Sequence, residues 1–277
     1  MPFGELLEIG PSGVGLVVIL NDFNMANLFA ERGFKTVFRV VDTGHDPMPE
    51  LTGNANTDRQ RGYDWFYNGK TAAGGVLWHR YRECRKDVII QVINEWQHPK
   101  DGPFTEGLIM AADAAGYRLV NFNDAVGSVP LYKNPDGTWE SPEWRQRTNA
   151  LRLHIYYPDG SRRPENRQHY VGYHGYGRVG NYPASDVAER DWFAGRIFNF
   201  YTITPYKPKL LFTEYGPYDA MFMGVDRTLK DIQESEKWLR SYAYVEGFAY
   251  WTLGVWNVTN SGCNPVLPAF AAWRKSR

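Results

Sequence analysis

A chain of 277 residues in which short apolar runs alternate with longer amphipathic stretches, and in which two of those runs end abruptly on a glutamate, predicts an α/β fold, a (β/α)8 TIM barrel. The alternation argues against a sandwich. Such barrels commonly take about 250 residues, so a single domain spanning 1–277 is expected.

The predicted strands, in order, are Glu5–Ile9, Gly15–Leu20, Thr36–Val41, Val88–Ile93, Tyr117–Phe122, Tyr170–Tyr173, Leu210–Thr213 and Gly247–Trp251. Helices are expected at "DFNMANLFAERGF", "FTEGLIMAADAAG", "SPEWRQRTNALRL", "RDWFAGRIFNFYTI" and "VDRTLKDIQESEKWLRSYAY". Several open with Asp or Ser, where an N-cap belongs, and one closes on Gly116. The start is irregular. Only "GPSGV" separates the first two strand candidates, whereas a parallel crossover takes a dozen residues or more, so the first helix should be missing or shortened. Long loops are expected at Asp42–Arg61, Asn123–Glu140 and Tyr157–Gln168, and loops of that length usually serve function.

Composition narrows the function classes. Lys and Arg together number 31, as do Asp and Glu, which gives no electrostatic pull toward nucleic acid or anionic membrane. Aromatic residues make up 16% of the chain, with 10 Trp and 18 Tyr, a surplus suited to a cleft that stacks on flat ligand faces or simply to extra core packing. Cys84 and Cys263 are expected to be free thiols, because a chain of this size needs no disulfide. No leader or membrane-spanning run is apparent, so the chain as given reads as cytoplasmic. The six histidines include no H-E-x-x-H pair and there is no G-x-S-x-G elbow, so no metal or cofactor and no serine nucleophile is expected. "GYGRVG" at Gly175–Gly180 matches a dinucleotide fingerprint only loosely, as no helix opens directly after it.

The glutamates carry the functional reading. "VIIQVINEWQHP" delivers Asn94 and Glu95 directly out of an apolar strand, and "KLLFTEYGP" does the same with Glu214. In a barrel the carboxyl ends of the strands share one mouth, so the two carboxylates would converge despite their distance in sequence. Glycoside hydrolysis needs such a pair: one acid to protonate the leaving oxygen, and one carboxylate to attack the anomeric carbon or activate water. The plain structural reading makes each a salt-bridged strand end.

"INEW" and "FTEYG", closing strands three units apart, resemble the clan A glycoside hydrolases. The resemblance covers most of Thr36–Gly254. It implies a (β/α)8 barrel with the acid/base after Asn at the end of strand four, which fits Glu95, and the nucleophile at the end of strand seven, which fits Glu214. His174 and Tyr176 resemble the clan's His-x-Tyr at strand six, and Trp251 the strand-eight Trp beneath the reacting sugar. Asn94 would bind the sugar 2-OH, with Trp96 and Tyr215 flanking the glutamates. Tyr176 or His174 would keep Glu214 ionised, while Glu95, walled by Trp96 and without a neighbouring cation in sequence, would stay protonated. Arg39 resembles an Arg beside the nucleophile, but the clan has it on strand two and the prediction puts it on strand three. The expected function is retaining hydrolysis of a β-linked oligo- or polysaccharide, with no nucleic-acid or membrane partner. The rivals are a degenerate carbohydrate-binding barrel and a barrel enzyme using paired glutamates for other proton transfers.

Overall fold

The computed structural model describes residues 4–11, 15–41, 49–96, 98–125, 127–177, 184, 190–217, 224–250 and 266–276. In chain order the elements are α1 (Gly4–Ile9), β1 (Val17–Leu20), α2 (Phe23–Glu31), β2 (Thr36–Arg39), α3 (Ala55–Asn68), α4 (Trp78–Tyr81), β3 (Ile89–Gln91), α5 (Asp101–Ala115) and β4 (Arg118–Asp124). A small hairpin follows, β5 (Tyr132–Lys133) and β6 (Trp139–Glu140), and then α6 (Pro142–Gln146), α7 (Thr148–Ile155), β7 (Tyr170–Tyr176), α8 (Arg196–Thr202), β8 (Lys209–Gly216), α9 (Val225–Leu239), β9 (Val245–Tyr250) and α10 (Leu267–Lys275).

Seven strands pair in the order β1-β2-β3-β4-β7-β8-β9, all parallel, and the sheet curls into a nearly closed TIM-like barrel. Strands β2, β3, β4, β7 and β8 are buried on both faces, which explains their near-continuous apolar runs, whereas β1 and β9 at the two ends of the sheet are partly exposed. Leu16, Val37, Ile89, Val120, Tyr170 and Leu211 form one buried cluster. Their strand neighbours Phe38, Ile90, Leu119, Val171 and Phe212 belong to the larger core that includes the helices. Gly247 of β9 lies close to the start of β1: a Cβ there would come 3.0 Å from Leu16 Cβ and 3.1 Å from the Gly15 carbonyl oxygen.

The first predicted strand is corrected. Glu5–Ile9 lies within α1, a short helix that ends where Gly10 takes φ 75° and donates its N–H to the Leu6 carbonyl. "GELLEI" is rich in good helix formers, and an apolar run this short has no period that separates strand from helix. The consequence is a shift of one in every strand number. Arg39 falls on the second strand rather than the third, while Glu95 follows the third strand and Glu214 lies on the sixth, not the fourth and seventh expected. The crossover from β1 to β2 is a regular helix, α2, capped by Asp22, whose carboxylate accepts the Met25 N–H at 2.9 Å.

The expected loop Asp42–Arg61 is corrected as well, because α3 begins at Ala55. Gly62 obscured that helix in the sequence, since glycine weakens a helical pattern. Its purpose is contact: a Cβ at Gly62 would lie 1.9 Å from the Phe104 carbonyl oxygen of α5, and one at Gly107 of α5 would lie 1.9 Å from the Arg59 carbonyl oxygen of α3. Two of the other expected caps are present, whereas α8 and α9 open on Gly195 and Gly224 with no side-chain cap. Gly116 ends α5 at φ 81°, and Ser141 Oγ accepts the Trp144 N–H at 3.2 Å at the start of α6. Cys84 is a buried free thiol, and Cys263 lies outside the described residues.

Candidate active site

Strand periodicity decides which residues of β8 face the barrel interior. Glu214 pairs in register with His174 of β7, and Tyr176, two residues along β7, occupies the same face. The Tyr176 hydroxyl donates to Glu214 Oε2. Arg39 reaches in from β2, with Nη1 2.9 Å from Glu214 Oε1, and both side chains are largely buried. Each oxygen of Glu214 therefore has a donor, one of them charge-assisted. Burial, followed by the nearby Glu214 carboxylate, pushes the Tyr176 phenol far above its ordinary range, so it stays a donor.

Glu95 arrives by a different route. It lies beyond β3 in a left-handed conformation, φ 51°, and its N–H donates to the Asn123 carbonyl at 3.2 Å. His174 Nδ1 is 2.7 Å from Glu95 Oε1 and 3.4 Å from Glu214 Oε2. The shorter contact needs one proton between the two atoms. One oxygen of each glutamate and the His174 nitrogen all lie within 4.8 Å of one another. The two carboxylates differ in setting: the Glu95 side chain is 43% exposed, whereas that of Glu214 is 8% exposed. Such a trio could also ligate a divalent cation. The donors already on both Glu214 oxygens suit it better to handling protons.

The remaining sequence candidates divide. Asn94 stands beside Glu95 with its Oδ1 accepting from Gln91 Nε2 at 2.8 Å. Trp96 packs edge-on against Phe104 at 5.0 Å and beside His98 at 5.6 Å. In place of the expected wall of Trp96, the Glu95 carboxyl is 43% exposed and bonded to the His174 imidazole. Tyr215 does not join the group. It is fully buried, and its hydroxyl bonds Ser235 Oγ of α9 at 2.9 Å, because adjacent strand residues face opposite sides of the sheet. Trp251 lies outside the described residues.

Sequence reasoning passed over two polar residues behind the carboxylates. Gln91 was visible as the lone polar residue in "VIIQVI". Asn123 gave no signal beyond the tolerance of Asn for left-handed backbone.

No protein-family model matches the chain, and no curated protein sequence does. Solved structures do resemble it. A family GH128 (subgroup II) endo-β-1,3-glucanase from Sorangium cellulosum superposes with a TM-score of 0.52 at 12% identity, covering 97% of this chain and 93% of that one. A GH5-4 broad-specificity endoglucanase from an uncultured bacterium gives 0.54 at 11% identity, with 97% and 83% covered. One from an uncultured bovine rumen ciliate gives 0.50 at 8% identity, with 100% and 86% covered. At such identities the likeness is one of architecture: the chain has the TIM-like barrel fold that these glycoside hydrolases share.

Proposed function

We propose that the protein is a retaining glycoside hydrolase, a single catalytic domain that cleaves β-glycosidic bonds of an oligo- or polysaccharide with Glu214 as nucleophile and Glu95 as acid/base. The observation that carries this is the close approach of two carboxylates in unequal surroundings. Carboxylate oxygens within 4.8 Å favour the retaining arrangement, with carboxyl groups about 5–5.5 Å apart, over the roughly 6.5–9.5 Å of inverting enzymes. The neighbouring folds carry endo-β-1,3-glucanase and endoglucanase descriptions, which support β-glucans as the first substrates to try.

The roles follow from the contacts. Arg39 and Tyr176 each bond one oxygen of Glu214 and fix its carboxyl group, the aim a nucleophile needs. Glu95, at the exposed mouth with His174 at its side, can exchange protons with solvent between turns as acid and as base. Donating its proton to the glycosidic oxygen expels the leaving sugar while Glu214 bonds to the anomeric carbon. A water deprotonated by Glu95 then hydrolyses the ester. The Asn94 amide donates to the 2-OH as the oxocarbenium character develops.

Azide separates the roles. On a dinitrophenyl β-glycoside, which departs without a proton, Glu95→Ala should form the glycosyl-enzyme and release β-glycosyl azide. Glu214→Ala should give the α-azide by direct attack. Reversed anomers would swap the two assignments. A wild-type protein that binds β-glucan but never cleaves it would leave the degenerate binding barrel as the better description.

A further inference from the structure

Asn123 is fully buried. It occupies a bulge: along the β4–β7 ladder Phe122 pairs with Gly172 and Asp124 with Tyr173, which leaves Asn123 unpaired between them. Phe122 and Asn123 both take left-handed conformations, at φ 72° and 47°. That is tolerable for Asn but costly for a bulky aromatic, and it persists only where the surroundings over-determine it. Here they do. The Arg147 guanidinium stacks 4.3 Å from the Phe122 ring and bonds both Asp124 and Asp101. Gly172 opposite leaves the room that the Asn123 side chain fills, since a Cβ there would lie 1.9 Å from Asn123 Oδ1.

The strained backbone delivers one amide to a specific place. Asn123 Nδ2 donates to the Ile93 carbonyl at 3.0 Å and to the Val120 carbonyl at 3.3 Å. Its Oδ1 accepts the Thr213 hydroxyl at 3.0 Å, and its main-chain carbonyl accepts the Glu95 N–H at 3.2 Å. Only one amide orientation satisfies two carbonyls on one side and a hydroxyl on the other. Ile93 stands two residues before Glu95, and Thr213 immediately precedes Glu214. A single buried side chain thus links the main chain behind one carboxylate to the strand carrying the other.

We infer that Asn123 is a positioning residue that sets the separation and relative aim of Glu95 and Glu214. Its part in hydrolysis rests on the function proposed above, whereas its bracing of the two carboxylates does not. The chemistry selects Asn: Asp lacks the donor for Ile93 and Val120, Ala lacks all three side-chain bonds, and Gln is a methylene too long for the space above Gly172.

The test compares Asn123→Ala, Asn123→Asp and Thr213→Val with Ile232→Val, a buried change on α9 remote from the site that controls for lost stability. Thr213→Val preserves volume, removes only the hydroxyl bond, and covers the case in which the Asn123 variants fail to fold. Misplacement of reacting groups by about 1 Å can cost 100-fold, so kcat on a β-glucan should fall about 10- to 100-fold in the Asn123 variants with KM within about twofold. Thr213→Val should fall less and add nothing to Asn123→Ala when combined with it. Ile232→Val should keep its kcat. A second readout is independent of turnover. The ¹⁵N resonances of the His174 imidazole report its bonds to Glu95 and Glu214, and they should move in the Asn123 and Thr213 variants but not in Ile232→Val. An unchanged kcat together with unmoved His174 resonances would overturn the inference. A wild type that hydrolyses no glycan while the His174 resonances still move would keep the brace and discard the glycosidase reading.

Discussion

Asp231 gives a quantitative expectation for how stability should depend on pH. It lies on α9, 2% exposed, with Oδ2 accepting from the Tyr250 hydroxyl at 2.9 Å and Oδ1 from the Ala184 N–H at 3.2 Å. Burial, with the Glu234 charge adding to it, outweighs these hydrogen bonds and pushes the carboxyl from 3.8 up to about 7. Below about pH 4 the folded and unfolded chains both hold the proton, and its contribution to stability is complete. As pH rises from about 4 to 7 the unfolded chain releases that proton while the folded one retains it, so stability falls across this window. Each pKa unit is worth about 1.4 kcal/mol, and three units give about 4 kcal/mol. Asp231→Asn is neutral at every pH, and its amide can donate to Tyr250 and accept from Ala184. At pH 4 it should therefore melt close to wild type, and at pH 8 it should be more stable by up to about 4 kcal/mol. With an unfolding entropy of about 2.1 cal/mol/K per residue, that corresponds to a Tm roughly 7 °C higher. Calorimetry at the two pH values and one ionic strength measures it. A Tm difference that is the same at both would refute the reasoning, because the carboxyl would then bear no penalty for ionising inside the fold.

Other perturbations have equally direct readouts. Arg147→Ala strands the buried carboxylates of Asp101 and Asp124 and should destabilise by about 3–5 kcal/mol in a denaturant titration; a loss under 1 kcal/mol would show the ion triad to be dispensable. Tyr176→Phe removes one donor from Glu214, and hydrogen bonds to charged groups are worth about 1.5–3 kcal/mol, so kcat/KM should drop about 10- to 100-fold with the fold intact by circular dichroism. Gly172→Ala forces a methyl group into the Asn123 side chain and should lower kcat while the protein remains folded; full activity would mean that the amide has room to move.

The parts of the site legible in the sequence were those where a polar group interrupts an apolar strand. Glu95, Glu214 and Arg39 were visible in this way, because burying such groups on a barrel strand requires partners and the partners must come from other strands, whereas His174 and Tyr176 were noticed only through the His-x-Tyr resemblance. Tyr215 was misjudged although period-two alternation with Glu214 already sets it on the opposite face. The fold was legible where β-branched runs were long enough to show their period, and it failed at Glu5–Ile9, where the run is too short. The contacts of Asn123 depend on a bulge and on three separate segments meeting, which no local pattern encodes.

The contact between α3 and α5 through Gly62 and Gly107 bears on how the protein tolerates mutation. Where side chains separate two helices, their spacing drifts as core residues change size, and neighbouring substitutions can compensate. Here main-chain atoms touch main-chain atoms, so the spacing is fixed by covalent geometry that no substitution elsewhere can retune. The first turn of α5 supplies Asp101 to Arg147, and Arg147 holds Phe122 and Asp124 on either side of Asn123. A single methyl group added to the outer layer at Gly107 would thus travel inward along α5 to the floor of the site. The two glycines make this flank a fixed datum for the mouth, so the variation that alters substrate preference should accumulate in the loops and spare this helix pair.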